Sequence, residues 1–83
     1  MNRVDQVLRD FGVRVKVLRV AKDVSQEAFA QQAGIDRSYY GRIERSAANP
    51  TLKNIAAIAD ALEVSIADLF PETNTNKRTR QNK

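Results

Sequence analysis

Residues 25–45 place basic and hydroxyl side chains along one face of a short predicted helix. At about 100° of rotation per residue, Tyr40 and Ile43 fall on one side of a helix spanning residues 37–45. The opposite side has Ser38, Gly41, Arg42 and Arg45, with Arg37 at its N-terminal edge. Arginine offers a planar fork of N–H donors and serine offers a hydroxyl, which suits hydrogen bonding to phosphates and base edges. The side chains on this face therefore predict a surface that binds DNA.

A second short helix and a tight turn are predicted to position this face. Ser25 can accept a hydrogen bond from a free backbone N–H at the start of a helix over 26–33. Gly34 tolerates the left-handed conformation that ends a helix, and Asp36 can cap the next one. Ala30 is small enough to allow close contact at the elbow between the two helices. The apolar stripe of the first helix consists of Phe29, Ala30 and Ala33.

The pattern resembles a known family. The lambda-repressor/Cro-type (XRE-like) helix-turn-helix family has the spacing shown here by Gln26, Ala30, Gly34, Ile43 and Glu44. The resemblance covers about residues 11–70. A finer pattern, residues 35–39 (IDRSY) followed by 49–51 (NPT), is similar to the controller proteins of restriction-modification systems. The resemblance implies an all-α, five-helix DNA-binding domain whose second motif helix enters the major groove of DNA.

Specific contacts are implied by the matching positions. The implied base contacts are Arg37, Ser38, Tyr39 and Arg42. The candidate phosphate contacts are Gln26, Arg14, Lys16, Arg45, Asn49, Thr51 and Lys53. An alternative for Asn49 and Thr51 is that residues 49–51 simply form a good helix start, with Thr51 as N-cap.

Two structural roles also follow from the resemblance. Arg19 and Glu44 are expected to form a partly buried ion pair that joins the first helix to the third, although two separate solvated charges are the alternative. The expected dimer interface consists of Ile66, Leu69 and Phe70, of which one is expected to pack inward.

Composition restricts the class of protein. Eighty-three residues suit one domain, and a chain of this size often pairs with a copy of itself. The sequence has no cysteine and no histidine, which excludes disulfides, zinc fingers and imidazole catalysis. Its carboxylates are scattered and it lacks a phosphate-binding glycine loop, so we predict that it is not an enzyme. No cofactor, metal, membrane or small-molecule ligand is expected, and the predicted location is the cytoplasm, at the nucleoid.

Charge is distributed unevenly along the chain. Residues 1–46 contain nine basic and six acidic side chains, whereas residues 47–76 contain one basic and four acidic ones. A basic end that includes the motif would face phosphates. We divide the chain into a domain over 1–71 and a basic, disordered tail over 72–83 that has no apolar side chain. The tail is interpreted either as nonspecific phosphate attraction or as a solubilising end.

The first 22 residues have two competing patterns. Residues 13–17 alternate like a strand, but a helical stripe runs over fifteen residues through Val4, Val7, Leu8, Phe11, Val15 and Leu18. The longer pattern favours a helix. On its opposite face Val13, Val17 and Val20 form an apolar strip, which is interpreted either as isolated surface valines or as a contact surface for a partner.

Two further helices are predicted after the motif. Thr51 is the expected N-cap of a helix with the apolar stripe Leu52, Ile55, Ile58, Ala59 and Leu62. Ser65 and Asp68 match a capping box that opens a short fifth helix. Asp23 and Ser46 stand where the family often has glycine, and we expect their side chains, rather than a left-handed backbone, to satisfy the helix ends.

The predicted function is sequence-specific regulation of transcription by a homodimer on a pseudo-palindromic site of double-stranded DNA. The sequence does not separate repressor from activator, or a restriction-modification controller from a phage-type or antitoxin-like regulator. Glu27 is a candidate RNA polymerase contact, or simply a favourable acid at a helix N-terminus. The alternative function is a helical protein-interaction module, either antitoxin-like or a scaffold, without sequence-specific DNA binding.

Overall fold

The computed structural model describes residues 2–71, which form four α-helices and one 3-10 helix. The elements are α1 (Arg3–Ala21), α2 (Gln26–Ala33), α3 (Arg37–Glu44), α4 (Leu52–Leu62) and the 3-10 helix (Ile66–Leu69). The all-α class and the helical interpretation of the first 22 residues are confirmed, while the fifth helix is a single 3-10 turn. Over residues 2–71 each helix is too short or too polar to span a bilayer. The predicted tail, residues 72–83, lies outside the described range.

Each helix begins at a polar side chain that accepts a backbone hydrogen bond. The predicted caps Ser25, Asp36 and Thr51 accept from the N–H three residues later, and the Ser65–Asp68 capping box is present in both directions. Asn2 does the same for α1 and was not predicted. These bonds satisfy N–H groups that the first helical turn leaves free.

Three helix ends adopt the left-handed conformation without glycine. Gly34 has φ of 71°, as predicted, but Asp23, Ser46 and Glu63 also have φ between 60° and 62°. The expectation that Asp23 and Ser46 would avoid this conformation is wrong. A non-glycine residue there costs about 1–2 kcal/mol. At Ser46 a tertiary contact offsets part of this cost, since its Oγ donates to the Leu8 carbonyl at 3.1 Å.

One apolar core joins all five elements. Its buried side chains are Phe11, Val15, Phe29, Ala30, Ile35, Tyr40, Ile43, Ile58, Ala59, Leu62 and Leu69. Three residues of the predicted stripes are exposed: Leu52 is 72% exposed, Val4 65% and Val7 45%. All three lie in the first turns of their helices, and burial in α1 begins only at Phe11. The periodicity identified the correct face but not the length over which that face is covered.

Gly12 allows the backbone of α1 to pack directly against the backbone at the C-terminal end of α3. A Cβ at this position would lie 2.6 Å from the Glu44 carbonyl oxygen and 2.8 Å from that of Ile43. Backbone atoms cannot move aside as a flexible side chain does, so a methyl group here would push the two helices apart.

We predict that Gly12→Ala lowers the free energy of unfolding by about 1–3 kcal/mol, measured by urea denaturation. Gly41→Ala is the matched control, because it is also a helical glycine but its Cβ would meet only the side chains of Arg45 and Gln26. The control should be neutral or stabilising by up to about 1 kcal/mol. Equal stability of the Gly12 variant and the wild type would contradict the packing argument.

Candidate nucleic-acid interface

The elbow between α2 and α3 has the predicted geometry. Gly34 ends α2 in the left-handed conformation, and the Ile35 N–H donates to the Ala30 carbonyl at 2.9 Å. Ala30 is buried, and the rings of Phe29 and Tyr40 pack at 5.1 Å between centroids. Because a small residue and a glycine meet at the turn, α3 is held at a fixed angle against α2.

The outer face of α3 is basic and exposed. Arg37, Ser38, Arg42 and Arg45 are exposed, whereas Tyr40 and Ile43 are buried on the other side of the helix. Together with Gln26 and Gly41 the four exposed residues line a shallow depression of about 260 Å³ between α2 and α3. Among the residues that the structure describes, no acidic side chain lines it. The depression therefore offers hydrogen-bond donors and positive charge to a ligand.

Gly41 forms the floor of this depression and is itself buried. A Cβ at Gly41 would lie 3.1 Å from Arg45 Nη1 and 3.5 Å from Gln26 Oε1. The absence of a side chain thus leaves room for the Arg45 guanidinium and the Gln26 amide to lie side by side over the helix.

Two predicted base contacts are tied to the loop after α3. The Tyr39 hydroxyl donates to the Asn49 carbonyl at 3.3 Å, and Arg42 Nη2 donates to the Ala47 carbonyl at 3.2 Å. Arg42 still lines the depression, but Tyr39 is half-buried and does not. The structure therefore places Arg37, Ser38 and Arg42 together and sets Tyr39 apart, beside the loop.

Glu44 is the centre of a buried polar network beneath α3. Its carboxylate accepts hydrogen bonds from Arg19 Nε at 2.7 Å, Arg19 Nη2 at 3.2 Å, Gln26 Nε2 at 2.9 Å and the Tyr40 hydroxyl. Arg19 and Glu44 are only 8% and 7% exposed, and Arg19 Nη1 also donates to the Val24 carbonyl at 2.6 Å. The network joins α1, α2 and α3, and it fixes the side chain of Gln26 at the edge of the depression.

The network determines the protonation of its members. Burial alone would raise the pKa of Glu44, but the hydrogen bonds from Arg19, Tyr40 and Gln26 outweigh it and lower this pKa. The bond to Glu44 raises the pKa of Arg19, and burial together with the bond to Glu44 raises that of Tyr40. Glu44 is therefore ionised at neutral pH and Tyr40 remains a donor. The helical repeat in the sequence placed Tyr40 only on the same side of the helix as Ile43, although its i, i+4 spacing from Glu44 was a usable signal.

Some of the candidate phosphate contacts are exposed, whereas others are engaged in hydrogen bonds within the chain. Lys16, Arg45, Asn49 and Lys53 are exposed. The Thr51 hydroxyl is engaged in the cap of α4, since it bonds both the N–H and the side chain of Asn54. Arg14 Nε donates to the Asp68 carbonyl at 2.9 Å, which places this side chain on the 3-10 helix rather than beside α3. The sequence-based role of Arg14 is thus not supported.

The residues predicted at a dimer interface separate into two groups. Leu69 is fully buried in the core of the monomer and is therefore the one of the three that packs inward. Ile66 and Phe70 are 42% and 40% exposed, and Phe70 stacks on Phe11 with 5.1 Å between ring centroids. The tight 3-10 turn directs Leu69 inward and leaves Phe70 at the surface.

Comparisons with known proteins agree with this geometry. The Helix-turn-helix (HTH_3) family model matches residues 15–69. The control protein C.MunI of a Mycoplasma species is 41% identical over 63 residues, which cover 75% of this chain and 85% of that protein. The crystal structure of the restriction-modification controller protein C.AhdI from Aeromonas hydrophila aligns with a TM-score of 0.74 and 46% identity, covering 76% of this chain and 96% of that one.

A third similar structure contains DNA. The master regulator for biofilm formation SinR, solved in complex with DNA, aligns with a TM-score of 0.68 and 33% identity, over 71% of this chain and 95% of that one. The family match confirms the predictions of fold class and of a regulator rather than an enzyme. This chain belongs to the helix-turn-helix (HTH_3) family and is a DNA-binding transcriptional regulator.

Proposed function

We propose that this chain binds a pseudo-palindromic operator as a homodimer, with α3 of each subunit in the major groove. The observation that supports the proposal is the exposed face of α3, where three arginines and a serine surround a depression with no acidic side chain among the described residues. Two such helices related by a two-fold axis would meet successive major-groove faces about 34–36 Å apart. Symmetry of the protein therefore requires symmetry of the operator.

Base recognition is assigned to Arg37, Ser38 and Arg42. A guanidinium can donate two hydrogen bonds to O6 and N7 of guanine, and each such pair contributes about 1–3 kcal/mol of discrimination. Ser38 can donate to or accept from a base edge. Tyr39, which lies beside the loop, is better placed for a thymine methyl or a phosphate at the edge of the groove.

Phosphate contacts are assigned to five polar side chains that are exposed or partly exposed. These are Gln26, Lys16, Arg45, Asn49 and Lys53. Such contacts position the protein and raise its affinity at low salt without reading sequence. We assign residues 1–71 to the DNA-binding domain, and the four basic residues of the segment 72–83 add nonspecific attraction.

Ile66 and Phe70 are assigned to the contact between subunits because they are exposed apolar side chains at the end of the domain. The similarity to C.MunI and C.AhdI favours a controller of restriction-modification genes. Such a dimer represses where it covers a promoter and activates where it lies beside the polymerase, for which the exposed Glu27 is the candidate contact. The proposed location is the nucleoid in the cytoplasm.

Selection of bound DNA from a random pool tests this function directly. We expect enrichment of an inverted repeat with half-sites one helical turn apart, bound by two chains, and affinity that falls steeply as salt rises. The exposed strip of Val13, Val17 and Val20 supports the alternative of a protein-interaction module. Binding without a preferred sequence and with little dependence on salt would favour that alternative and contradict the proposal.

A further inference from the structure

An uncovered apolar surface lies where the start of α1 meets the end of the 3-10 helix. Val4 and Val7 share the helical stripe of Phe11, yet they are 65% and 45% exposed. Phe70 covers Phe11 and is itself 40% exposed. A cavity of about 80 Å³ is lined by Val7, Phe11, Phe70 and Pro71, with the acidic residue Asp10 beside them. We call Val4, Val7 and Phe70 the apolar end surface.

We propose that Val4 and Val7 extend the subunit contact and pack against a second copy of this chain. The proposal rests on the dimer described under Proposed function, to which it adds the first two turns of α1. Ile66 and Phe70 are two partly exposed side chains, whereas a stable interface buries about 800 Å² on each partner. Val7 and Phe70 line the same cavity, and Val4 lies three residues before Val7 on the same face of α1, so the two valines continue the patch formed by Phe70.

A second copy is the occupant that the chemistry favours. Residues 72–83, which follow Pro71, contain no apolar side chain and so bring nothing apolar to cover this surface. In an isologous contact the same patch occurs on both partners, so each apolar end surface meets an equally apolar one. Charge does not oppose this pairing, because Arg3 and Asp10, which lie one turn before and one turn after Val7 on the helix, carry opposite charges.

The valine strip on the opposite face of α1 differs in the charge of the residues around it. Val13, Val17 and Val20 are 53–56% exposed, but Arg9 and Lys16 border them on the helix. Self-pairing through the strip would bring four cations together with only two carboxylates, those of Asp10, which also borders Val13. The strip therefore supplies a matched control on the same helix.

The test compares two double variants of the full chain by sedimentation equilibrium. We expect Val4→Glu/Val7→Glu to raise the dimer dissociation constant at least about 100-fold, because it places charges in an apolar contact. Val13→Glu/Val17→Glu introduces the same charges at similar exposure and should change the constant by less than about threefold. Circular dichroism checks that both remain helical, and Val4→Ser/Val7→Ser gives a milder change in the same direction if the glutamate variant does not fold.

Each outcome has a distinct meaning. Weaker dimerisation of the Val4/Val7 variants alone supports the inference. An unchanged constant in these variants overturns it, as does dissociation of only the Val13/Val17 variant. If the wild type binds an inverted repeat two-to-one and the Val4/Val7 variants do so equally well, only the extension fails. If the wild type is monomeric and selects no inverted repeat, both the extension and the proposed dimer fail.

Discussion

Replacing Glu44 with glutamine is expected to lower the free energy of unfolding by about 3–5 kcal/mol at neutral pH. The carboxylate balances the charge of Arg19, whose Nε lies 2.7 Å away and whose side chain is buried with it. Glutamine has nearly the same shape, but it leaves a buried guanidinium without a counterion. Urea denaturation should show a lower midpoint with an unchanged slope.

The effect of this substitution should depend on pH in a defined direction. The pKa of Glu44 is lowered in the folded chain, below the value of about 4.3 for an unfolded glutamate. Its contribution to stability is therefore complete above about pH 4.3 and is lost as pH falls through the folded value. The difference in unfolding free energy between wild type and Glu44→Gln should shrink in acid.

Glu63→Gln is the control for this experiment. Glu63 pairs with Lys22 Nζ at 3.3 Å, but its side chain is 80% exposed, and such a pair contributes less than about 1 kcal/mol. A loss of under about 1 kcal/mol for Glu44→Gln at neutral pH, or a difference that stays constant into acid, would contradict the role given to the network.

Local signals in the sequence were sufficient to predict the helix caps and the turn of the motif. Ser25, Asp36 and Thr51 cap their helices as predicted, because each cap depends only on the backbone three residues later. Gly34 likewise ends α2 as predicted, since the turn requires a positive φ. The burial of Tyr40 against the exposure of Ser38 and Arg42 follows from the helical repeat alone.

Features that depend on distant elements were not predictable in the same way. Arg14 bonds a carbonyl 54 positions later, and Gly12 is needed because of the backbone of α3. Periodicity indicates which face of a helix is apolar, but not whether another element covers it, so Val4 and Leu52 appeared as core. Leu69 and Phe70 are adjacent apolar residues, and only the 3-10 geometry decides which one is buried.

Replacing Arg37 and Arg42 together with alanine is expected to reduce sequence preference about 100-fold or more. Each arginine is assigned to a base edge, where one bidentate contact contributes about 1–3 kcal/mol of discrimination. Both side chains are exposed, so the variant should remain folded, which circular dichroism checks. Affinity for unrelated DNA should fall only through the loss of two charges.

Arg3→Ala/Arg9→Ala is the matched control, because it removes the same charge from exposed positions on α1. The deciding measurement is the ratio of dissociation constants for the selected operator and a scrambled duplex, taken at one salt concentration. We predict that this ratio falls about 100-fold or more for Arg37→Ala/Arg42→Ala and stays at the wild-type value for the control. A wild-type ratio in the folded Arg37/Arg42 variant would show that the outer face of α3 does not read the bases.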